Sequence, residues 1–315
     1  MRAAFLTSFG EPSAVISVGD VDEPLVGPDC ILIDVAAAGV NPVDFKIVQG
    51  YLQGAFPHHL PLIPGWDVAG TVAAVGPAVT SVAVGDRVAA YARKDDVQWG
   101  TFAQRVSVSD RAVARVPDGV PDDQAGALPL AGLTAAQVLD AADVRSGDIV
   151  LVHAAAGGVG TFAAQLARLR GATVVGTAST RNHDVLAAWG VLPVDYSHHL
   201  VEGVRRHAPD GVDVVIDLVG GEALAATPQL LKPGGRLAGI VDAAGIAQLA
   251  QTHGYIGRYV FVRPDGAMLT RLLGLVADGL LRVDVSEHFD LADTAAALET
   301  LMSGHTRGKV VITVG

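Results

Sequence analysis

The 315-residue chain contains a single cysteine, Cys30. An intramolecular disulfide is therefore impossible, and no cysteine-rich zinc site can form. Because Cys30 directly precedes the apolar run Ile31–Val35, we expect a buried, unreactive thiol rather than a catalytic nucleophile.

Long hydrophobic runs and positive charge are also scarce. No stretch of about 18 uninterrupted apolar residues occurs, and residues 1–7 enter an amphipathic strand without the apolar segment of a signal peptide. The 22 Lys and Arg residues stand against 33 Asp and Glu, which gives a formal net charge of −11. Nucleic-acid and anionic-membrane partners favour basic surfaces, so we expect neither. These absences predict a soluble cytoplasmic protein with small-molecule partners.

The most informative stretch that is present runs from Asp148 to Thr161, where an apolar strand passes into a glycine-rich turn and then a helix. Gly157 and Gly158 allow the backbone to turn tightly and approach a pyrophosphate, and Gly160 allows the helix to pack closely on the strand. The helix N-terminus presents free N–H groups to an anion. This pattern predicts a dinucleotide site.

The end of the next strand indicates which dinucleotide binds. About 20 residues after the glycines, an NAD enzyme carries an acidic residue for the ribose 2′-hydroxyl. Here the strand Ala172–Gly176 is followed by Thr177-Ala178-Ser179-Thr180-Arg181, which contains no acid. The Ser179 hydroxyl and the Arg181 guanidinium suit a 2′-phosphate, so we predict NADP(H).

The chain divides into three regions that differ in their patterns of apolar and turn residues. Residues 1–118 consist of short β-rich runs separated by Gly, Pro and Asp turns, which predicts a compact, barrel-like all-β domain. Residues 119–262 alternate apolar strands with helical stretches, as a parallel, doubly wound sheet requires. In residues 263–315, helical spacing over 267–279 is followed by an alternating strand over 307–314, which we expect to rejoin the first domain.

Ordered motifs along nearly the whole chain resemble one superfamily. They are Gly39-Val40-Asn41-Pro42-Val43-Asp44, Pro64-Gly65-Trp66-Asp67-Val68-Ala69-Gly70, Val84-Gly85-Asp86-Arg87-Val88, Gly132-Leu133-Thr134-Ala135, the glycine turn, Lys232-Pro233-Gly234-Gly235 and Gly308-Lys309-Val310-Val311. Together they are similar to the medium-chain dehydrogenase/reductase superfamily, in its zinc-independent quinone oxidoreductase branch of zeta-crystallin-like plan. Within that branch, residues 41–46, 177–180 and the tail after 258–262 most resemble plant-type alkenal or enone oxidoreductases.

The resemblance implies an α/β fold with a GroES-like β-barrel catalytic domain and a Rossmann cofactor domain. It also implies a homodimer that transfers hydride from NADPH to a quinone or an α,β-unsaturated carbonyl compound. Zinc-dependent relatives carry zinc ligands at the positions held here by Asn41, Trp66 and Asp67, so we expect no metal. The pairs His58–His59 and His198–His199 consist of adjacent residues whose side chains diverge, and no third ligand stands at a useful spacing.

For catalysis, the resemblance implies Lys46, which would reach the nicotinamide ribose and the substrate carbonyl oxygen. The alternative is a solvated surface lysine. Asn41 would donate to the same oxygen or hold the ribose, or would only shape the turn before Pro42. Tyr51, Trp66 and Tyr91 are predicted for the substrate pocket, with the two tyrosines as possible proton donors or as hydrogen-bonded packing residues.

The resemblance also implies a set of cofactor contacts. Thr134 lies near the nicotinamide or its phosphate, Gly157, Gly158 and Val159 at the pyrophosphate, Ser179, Arg181 and Tyr196 around the 2′-phosphate and adenine, and Val219, Val241, Phe261 and Val262 along the nicotinamide. Plain core packing is the alternative for Tyr196 and for the last four residues. The loops expected over residues 49–59 and 243–255 would form pocket walls.

Two other functions remain open at this level. One is an enoyl-thioester reductase of the same superfamily, for which basic residues such as Arg93 and Lys94 would matter. The other is a non-catalytic NADPH-binding protein of the crystallin type or an RNA-associated relative, and the acidic net charge disfavours the RNA version.

Overall fold

A computed structural model describes residues 1–314 and divides the chain into two compact units. The first unit contains residues 1–133 and 264–315, and the second contains residues 134–263.

The strands are short in most of the chain, as the frequent turn residues predict. They are β1 (Arg2–Phe5), β2 (Ser17–Asp20), β3 (Cys30–Val40), β4 (His58–Ile63), β5 (Asp67–Val75), β6 (Arg87–Tyr91), β7 (Val97–Trp99), β8 (Arg105–Ser109), β9 (Val113–Arg115), β10 (Ile149–Val152), β11 (Thr173–Ala178), β12 (Leu192–Asp195), β13 (Val212–Asp217), β14 (Leu231–Gly239), β15 (Ile256–Tyr259), β16 (Val285–Asp290) and β17 (Lys309–Thr313).

The helices occur mainly after residue 120. They are α1 (Pro12–Val15), α2 (Pro42–Val48), α3 (Asp122–Ala127), α4 (Pro129–Ala141), α5 (Gly158–Leu169), α6 (His183–Ala188), α7 (Leu200–Arg205), α8 (Gly221–Ala225), α9 (Ala243–His253), α10 (Gly266–Ala277) and α11 (Thr294–Met302).

Two of these helices correct the expectation that residues 1–118 are all β. Both α1 and α2 begin with a proline. Proline suits the first helical position because its fixed φ matches the helix and its missing N–H has no partner there. In α2 the backbone N–H of Asn41 donates to Asp44 Oδ2 at 2.7 Å. The Asn41-Pro42 pair therefore starts a helix rather than an isolated turn.

The first unit is built on a sheet in which, within residues 1–314, the strand order is β16-β17-β3-β5-β6-β9, with β8 also paired to β3. The long strand β3 is central, and its apolar residues Ile31, Leu32 and Ile33 are buried. The final strand β17 pairs antiparallel with β3 and places Val311 opposite Gly39. This pairing joins β17 to the sheet of the first domain, as the alternating pattern over residues 307–314 predicts.

The boundary between the units falls after Leu133 rather than at the expected residue 118. Within the first unit, α3 packs against β3 and β5. Gly126 of α3 lies so close to β3 that a Cβ there would stand 2.8 Å from the Ala37 carbonyl oxygen. The helical texture after residue 120 therefore begins before the first unit ends.

The second unit contains a parallel sheet with the order β12-β11-β10-β13-β14-β15 in the described chain. Helices connect the successive strands, as parallel pairing requires. Leu151, Val175 and Val215 are fully buried in its core, which agrees with the continuous apolar runs of strands that are covered on both faces. The carboxyl ends of all these strands lie along one edge of the sheet.

One predicted loop is a helix. Residues 243–253 form α9, with the Asp242 side chain accepting a hydrogen bond from Gly245 N at 2.8 Å and Gly254 in the left-handed conformation at its end. An aspartate N-cap and a C-terminal glycine are helix signals that the sequence does contain. No helix within residues 1–314 is long and apolar enough to cross a membrane.

Candidate active site

The glycine turn lies where β10 ends in the second unit. Helix α5 begins at Gly158, and in the described chain no side chain caps its N-terminus and its first turn carries no acidic residue. The backbone N–H groups of that turn are thus oriented toward any ligand beyond the strand end. An uncapped twelve-residue helix following a parallel strand fits a bound anion such as a pyrophosphate.

The path of the turn requires glycine at position 160. A Cβ there would stand 2.0 Å from the carbonyl oxygen of Ala154, a backbone atom that could move aside only at a cost. Ala154 itself has a positive φ of 51°. Its backbone N–H donates to Thr177 Oγ1 at 3.0 Å, and Ala155 N donates to the Thr177 carbonyl at 2.9 Å. The neighbouring strand β11 therefore holds the turn in shape.

Ser179 and Arg181 follow the end of β11. Ser179 precedes a short 3₁₀ turn over Thr180–Asn182, and Arg181 is exposed. An acid does lie on the neighbouring strand, because Ala178 pairs with Asp195 across the sheet. Asp195 Oδ1 accepts hydrogen bonds from Ser197 N and Oγ at 2.9 and 2.7 Å, and these bonds lower the pKa of Asp195.

Large apolar side chains at the other strand ends remain open to solvent. Tyr196, Val219, Val241 and Phe261 are 58%, 50%, 51% and 52% exposed, although each directly follows a core strand or lies close to its end. Val262 is half-buried. A row of exposed apolar groups beside buried strands fits a ligand-binding edge better than plain core packing. Thr134 is different, since it is buried on α4.

Lys46 and Asn41 lie in the first unit, on and just before α2. Lys46 is exposed in the last turn of the helix, and no hydrogen bond or ion pair joins its side chain to another of residues 1–314. Asn41 is buried, and so is Asp44 one turn along. The helix therefore presents the lysine outward and keeps its polar N-terminus inside.

The Asn41 carboxamide is fully engaged within the unit. Its Nδ2 donates to Asp67 Oδ2 at 2.8 Å and to the Gly39 carbonyl at 3.3 Å. Its Oδ1 accepts a hydrogen bond from Lys309 Nζ, which also donates to the Val40 carbonyl at 3.1 Å. The geometry thus supports a structural role for Asn41 at the start of α2, and donation to a substrate oxygen stays a prediction.

Asp67 and Lys309 complete a buried polar network with Asn41 and Asp44. The Lys309 ammonium lies 3.8 Å from Asp67 Oδ2, and Leu130 N donates to Asp67 Oδ1 at 2.6 Å. Burial raises the pKa of Asp67 to about 6 and lowers that of Lys309. It also raises the pKa of Asp44 well above its ordinary value. Lys309 was missed as a site residue, although a lysine that begins the apolar run of β17 was the available signal.

The predicted substrate-pocket residues differ in burial. Trp66 and Tyr91 are buried and pack edge to face, with ring centroids 6.0 Å apart. Phe56 packs against Trp66 in the same way at 6.1 Å. The Tyr91 hydroxyl has no hydrogen-bond partner among the described residues, and burial raises its pKa. Tyr51 is 73% exposed, so of the two tyrosines it is the one that a substrate can reach.

The remaining candidate residues for metal and thiol chemistry, the His58–His59 pair and Cys30, do not form a shared site. No group of three or more His, Cys, Asp or Glu side chains in residues 1–314 is arranged to hold a metal ion. His58 Nδ1 lies 2.7 Å from the Phe56 carbonyl oxygen, and His59 lies 3.3 Å from Asp96. Cys30 is a free, half-buried thiol at the start of β3, rather than fully buried as expected.

Comparisons with known proteins agree with this architecture. Residues 27–118 match the family described as alcohol dehydrogenase GroES-like domain, and residues 186–312 match the zinc-binding dehydrogenase family. An NADPH-dependent alkenal/one oxidoreductase of Arabidopsis thaliana is 33% identical over 99% of the chain and 79% of its own length. The chain therefore belongs to the medium-chain dehydrogenase/reductase superfamily, in its quinone and enone oxidoreductase branch.

Solved structures support the same assignment. The quinone oxidoreductase of Coxiella burnetii superposes with a TM-score of 0.90 at 33% identity, covering 100% of this chain and 99% of that one. The Escherichia coli quinone oxidoreductase, solved with NADPH, gives a TM-score of 0.86 at 25% identity and covers 99% and 100%.

Some relatives are much longer than this chain. A pikromycin polyketide synthase component of Streptomyces venezuelae is 36% identical over 306 residues, and an erythronolide synthase of Saccharopolyspora erythraea is 35% identical over 308 residues. The chain spans 8% of the length of each.

Proposed function

We propose that this oxidoreductase uses NADPH to reduce quinones or α,β-unsaturated ketones and aldehydes without a metal ion. The observation that carries the proposal is the carboxyl edge of the parallel sheet in the second unit. There an uncapped helix N-terminus, a strand end with Ser179 and Arg181, and four half-exposed apolar side chains lie along the ends of neighbouring strands.

This edge fits NADPH part by part. The N-terminus of α5, with Gly157, Gly158 and Val159, would take the pyrophosphate. Ser179 and Arg181 would take the 2′-phosphate, and Tyr196 would pack near the adenine. Val219, Val241, Phe261 and Val262 would cover the nicotinamide, with Thr134 near its phosphate. When bound, NADPH supplies the hydride, and the protein supplies orientation and a dry surface.

Reduction of an unsaturated carbonyl compound places negative charge on the carbonyl oxygen, so a donor must meet that oxygen. Lys46 is our candidate, because it is exposed, is free of partners among residues 1–314, and stands on a helix anchored by the buried network. Tyr51 is exposed in the same unit and is the tyrosine that remains available as a proton donor. Tyr91 is buried and would act only by packing.

Metal independence rests on the donor set. Asn41 and Asp67 are both consumed by hydrogen bonds to each other and to Lys309 or Leu130, and Trp66 has no ligating atom. A divalent ion here would have to displace the buried ammonium of Lys309. Elemental analysis of the active protein should therefore find no stoichiometric zinc.

An activity panel tests the proposal. NADPH oxidation should be measured with small enones, alkenals and quinones, and NADH should be compared with NADPH for the best substrate. Arg181→Ala should lose about ten- to a hundredfold in preference for NADPH over NADH, because one charged hydrogen bond to the 2′-phosphate is lost. The exposed Arg206→Ala is the charge-matched control. Tight NADPH binding without turnover of any substrate would favour a non-catalytic protein instead.

We also propose a homodimer. In the described chain β15 is an edge strand of the parallel sheet, and Ile256 and Tyr259 on it are 49% and 43% exposed. An unpaired edge with apolar side chains is prone to pair with a second copy. This edge strand spans Ile256–Tyr259. Light scattering of the purified protein should give twice the chain mass.

A further inference from the structure

A cavity of about 330 Å³ in the first unit is lined by positive side chains that the proposed reaction does not use. It lies where β6 and β8 end. Arg93, Lys94 and Arg111 line it together with Ser109, and Asp95 is the carboxylate among the lining residues. Three basic residues and one acidic residue therefore line this cavity in a chain whose net charge is −11.

Lys94 is the least explained of these cations. The sequence contains four lysines, of which Lys309 lies in the buried network, Lys232 pairs with Asp213 at 2.7 Å, and Lys46 is the catalytic candidate. Lys94 is half-buried, yet no hydrogen bond or ion pair joins it to any of residues 1–314. Burial lowers its pKa. An ammonium group that is partly removed from water without a partner is costly unless a ligand supplies the negative charge.

The carboxylate in the lining does not neutralise the cavity. Asp95 lies 4.0 Å from the Arg93 guanidinium, and its side chain is 95% exposed. Pairs of this kind at the surface contribute little. Arg93, in contrast, has a side chain that is only 17% exposed.

Ring contacts connect Arg93, which lines the cavity, with the aromatic residues predicted for the substrate pocket. The Arg93 guanidinium lies over the Phe56 ring, 5.8 Å from its centroid. Phe56 packs on Trp66, and Trp66 packs on Tyr91. A ligand with its reactive end beside this aromatic cluster would have an anionic tail within reach of the cavity.

We propose that the cavity lined by Arg93, Lys94 and Arg111 binds a phosphate group of the substrate. Arginine forks match phosphate oxygens and lysine adds a point charge, which makes phosphate the anion that this set suits best. The substrate class is then an unsaturated carbonyl compound with a phosphate-bearing tail, such as a thioester of coenzyme A. This inference rests on the proposed reductase function and adds a tail site to it.

Two measurements test the tail site. In the first, the NADPH-saturated protein is titrated calorimetrically with inorganic pyrophosphate, with NADPH present to cover the nucleotide site. Wild-type protein should bind, and Lys94→Met and Arg111→Ala should each weaken binding by about ten- to a hundredfold. Arg2→Met, which removes an exposed charge from the same unit, should bind as wild type. Absence of binding, or equal binding by Lys94→Met, would overturn the proposal.

In the second, kcat/KM is measured for one enoyl group attached to coenzyme A and to N-acetylcysteamine, which lacks phosphate. The ratio of the two values should favour coenzyme A and should fall about ten- to a hundredfold in Lys94→Met but not in Arg2→Met. A ratio near one in wild type would sink the tail site while leaving the reductase intact. If no enone or thioester is reduced at all, the failure lies with the proposed function, and pyrophosphate binding then decides the cavity alone.

Discussion

The carboxyl edge of the parallel sheet and the buried polar network differ in how far their side chains and hydrogen-bonding groups are exposed to solvent. At the sheet edge, apolar side chains such as Val241 and Phe261 stay half-exposed, and the backbone donors of α5 lack a side-chain cap. In the network, the ionisable groups of Asp44, Asp67 and Lys309 are shut away from water. The sheet edge leaves apolar surface and hydrogen-bond donors available to a ligand, whereas the network uses its hydrogen-bonding groups within the protein.

This difference indicates that the sheet edge binds a ligand and that the network stabilises the fold. Open apolar surface and free backbone donors gain free energy only when a ligand arrives. Buried charges gain nothing from a ligand, and they are tolerated only because hydrogen bonds and an opposite charge compensate them. We therefore expect changes at the sheet edge to affect cofactor binding and changes in the network to affect folding.

The largest effect should come from Lys309→Met, which leaves two carboxyl groups buried without a cation. Removing one partner of a buried charge pair costs about 3–5 kcal/mol, measured as the free energy of unfolding in denaturant. Lys232→Met is the matched control, because its partly exposed pair with Asp213 should contribute about 1 kcal/mol at most. Equal losses in the two variants would show that the buried network contributes no more to stability than a partly exposed ion pair.

Lys46→Met should come next, since it acts on the reaction and leaves the network in place. If Lys46 meets the developing charge on the substrate oxygen, kcat should fall about a hundredfold. NADPH affinity, followed by fluorescence, should change much less. Lys46→Arg keeps the charge and should retain part of the rate. Parallel losses in kcat and NADPH affinity would instead assign Lys46 to the ribose.

The pH dependence of stability should reveal Asp67. Its pKa is raised from 3.8 to about 6 in the folded protein, so the folded state binds this proton more tightly than the unfolded chain. The stability from this proton is fully present below pH 3.8 and is lost as the pH rises through about 6. The loss is about 2–3 kcal/mol. Unfolding curves of Asp67→Asn should lack this slope, and an unchanged slope would contradict the assignment.

Gly160→Ala should lower the free energy of unfolding by less than Lys309→Met. The added methyl group would overlap the Ala154 carbonyl and push the glycine turn away, at a cost of about 1–3 kcal/mol. NADPH binding should weaken as well, because the turn carries the pyrophosphate site. Gly274→Ala in α10 meets no neighbouring atom within 4 Å and should be neutral or slightly stabilising. Unaltered NADPH binding by Gly160→Ala would detach the turn from the cofactor.

The sequence predicts the sheet edge well because its signals are local. The glycine turn, the strand before it and residues 177–181 at the end of the next strand all lie within about 30 residues, the span of one βαβ unit. The superfamily and the two-part fold are confirmed by the comparisons and the sheet topology. The helices α2 and α9 were missed although Asn41 and Asp242 stand at their N-terminal ends, because turn signals and capping signals use the same residues.

The network and the cationic cavity could not be predicted in the same way. Lys309 meets Asn41 only because β17 pairs with β3, and the two residues are 268 positions apart in the chain. Likewise, Lys94 and Arg111 share a cavity only through the way in which the loops after β6 and β8 converge. The sequence shows that these positions carry charged residues. Which of them come together is decided by strand pairing and loop packing in the folded chain.

The distance in sequence between Lys309 and its acceptors has a consequence for synthesis on the ribosome. While the chain grows from its N-terminus, Asp44 and Asp67 emerge long before the lysine that compensates them. Until β17 is released and added beside β3, the first unit holds two carboxyl groups without their cation, so its sheet is complete only after β17 has been translated. Folding of this unit thus depends on the synthesis of β17, long after β3 has emerged.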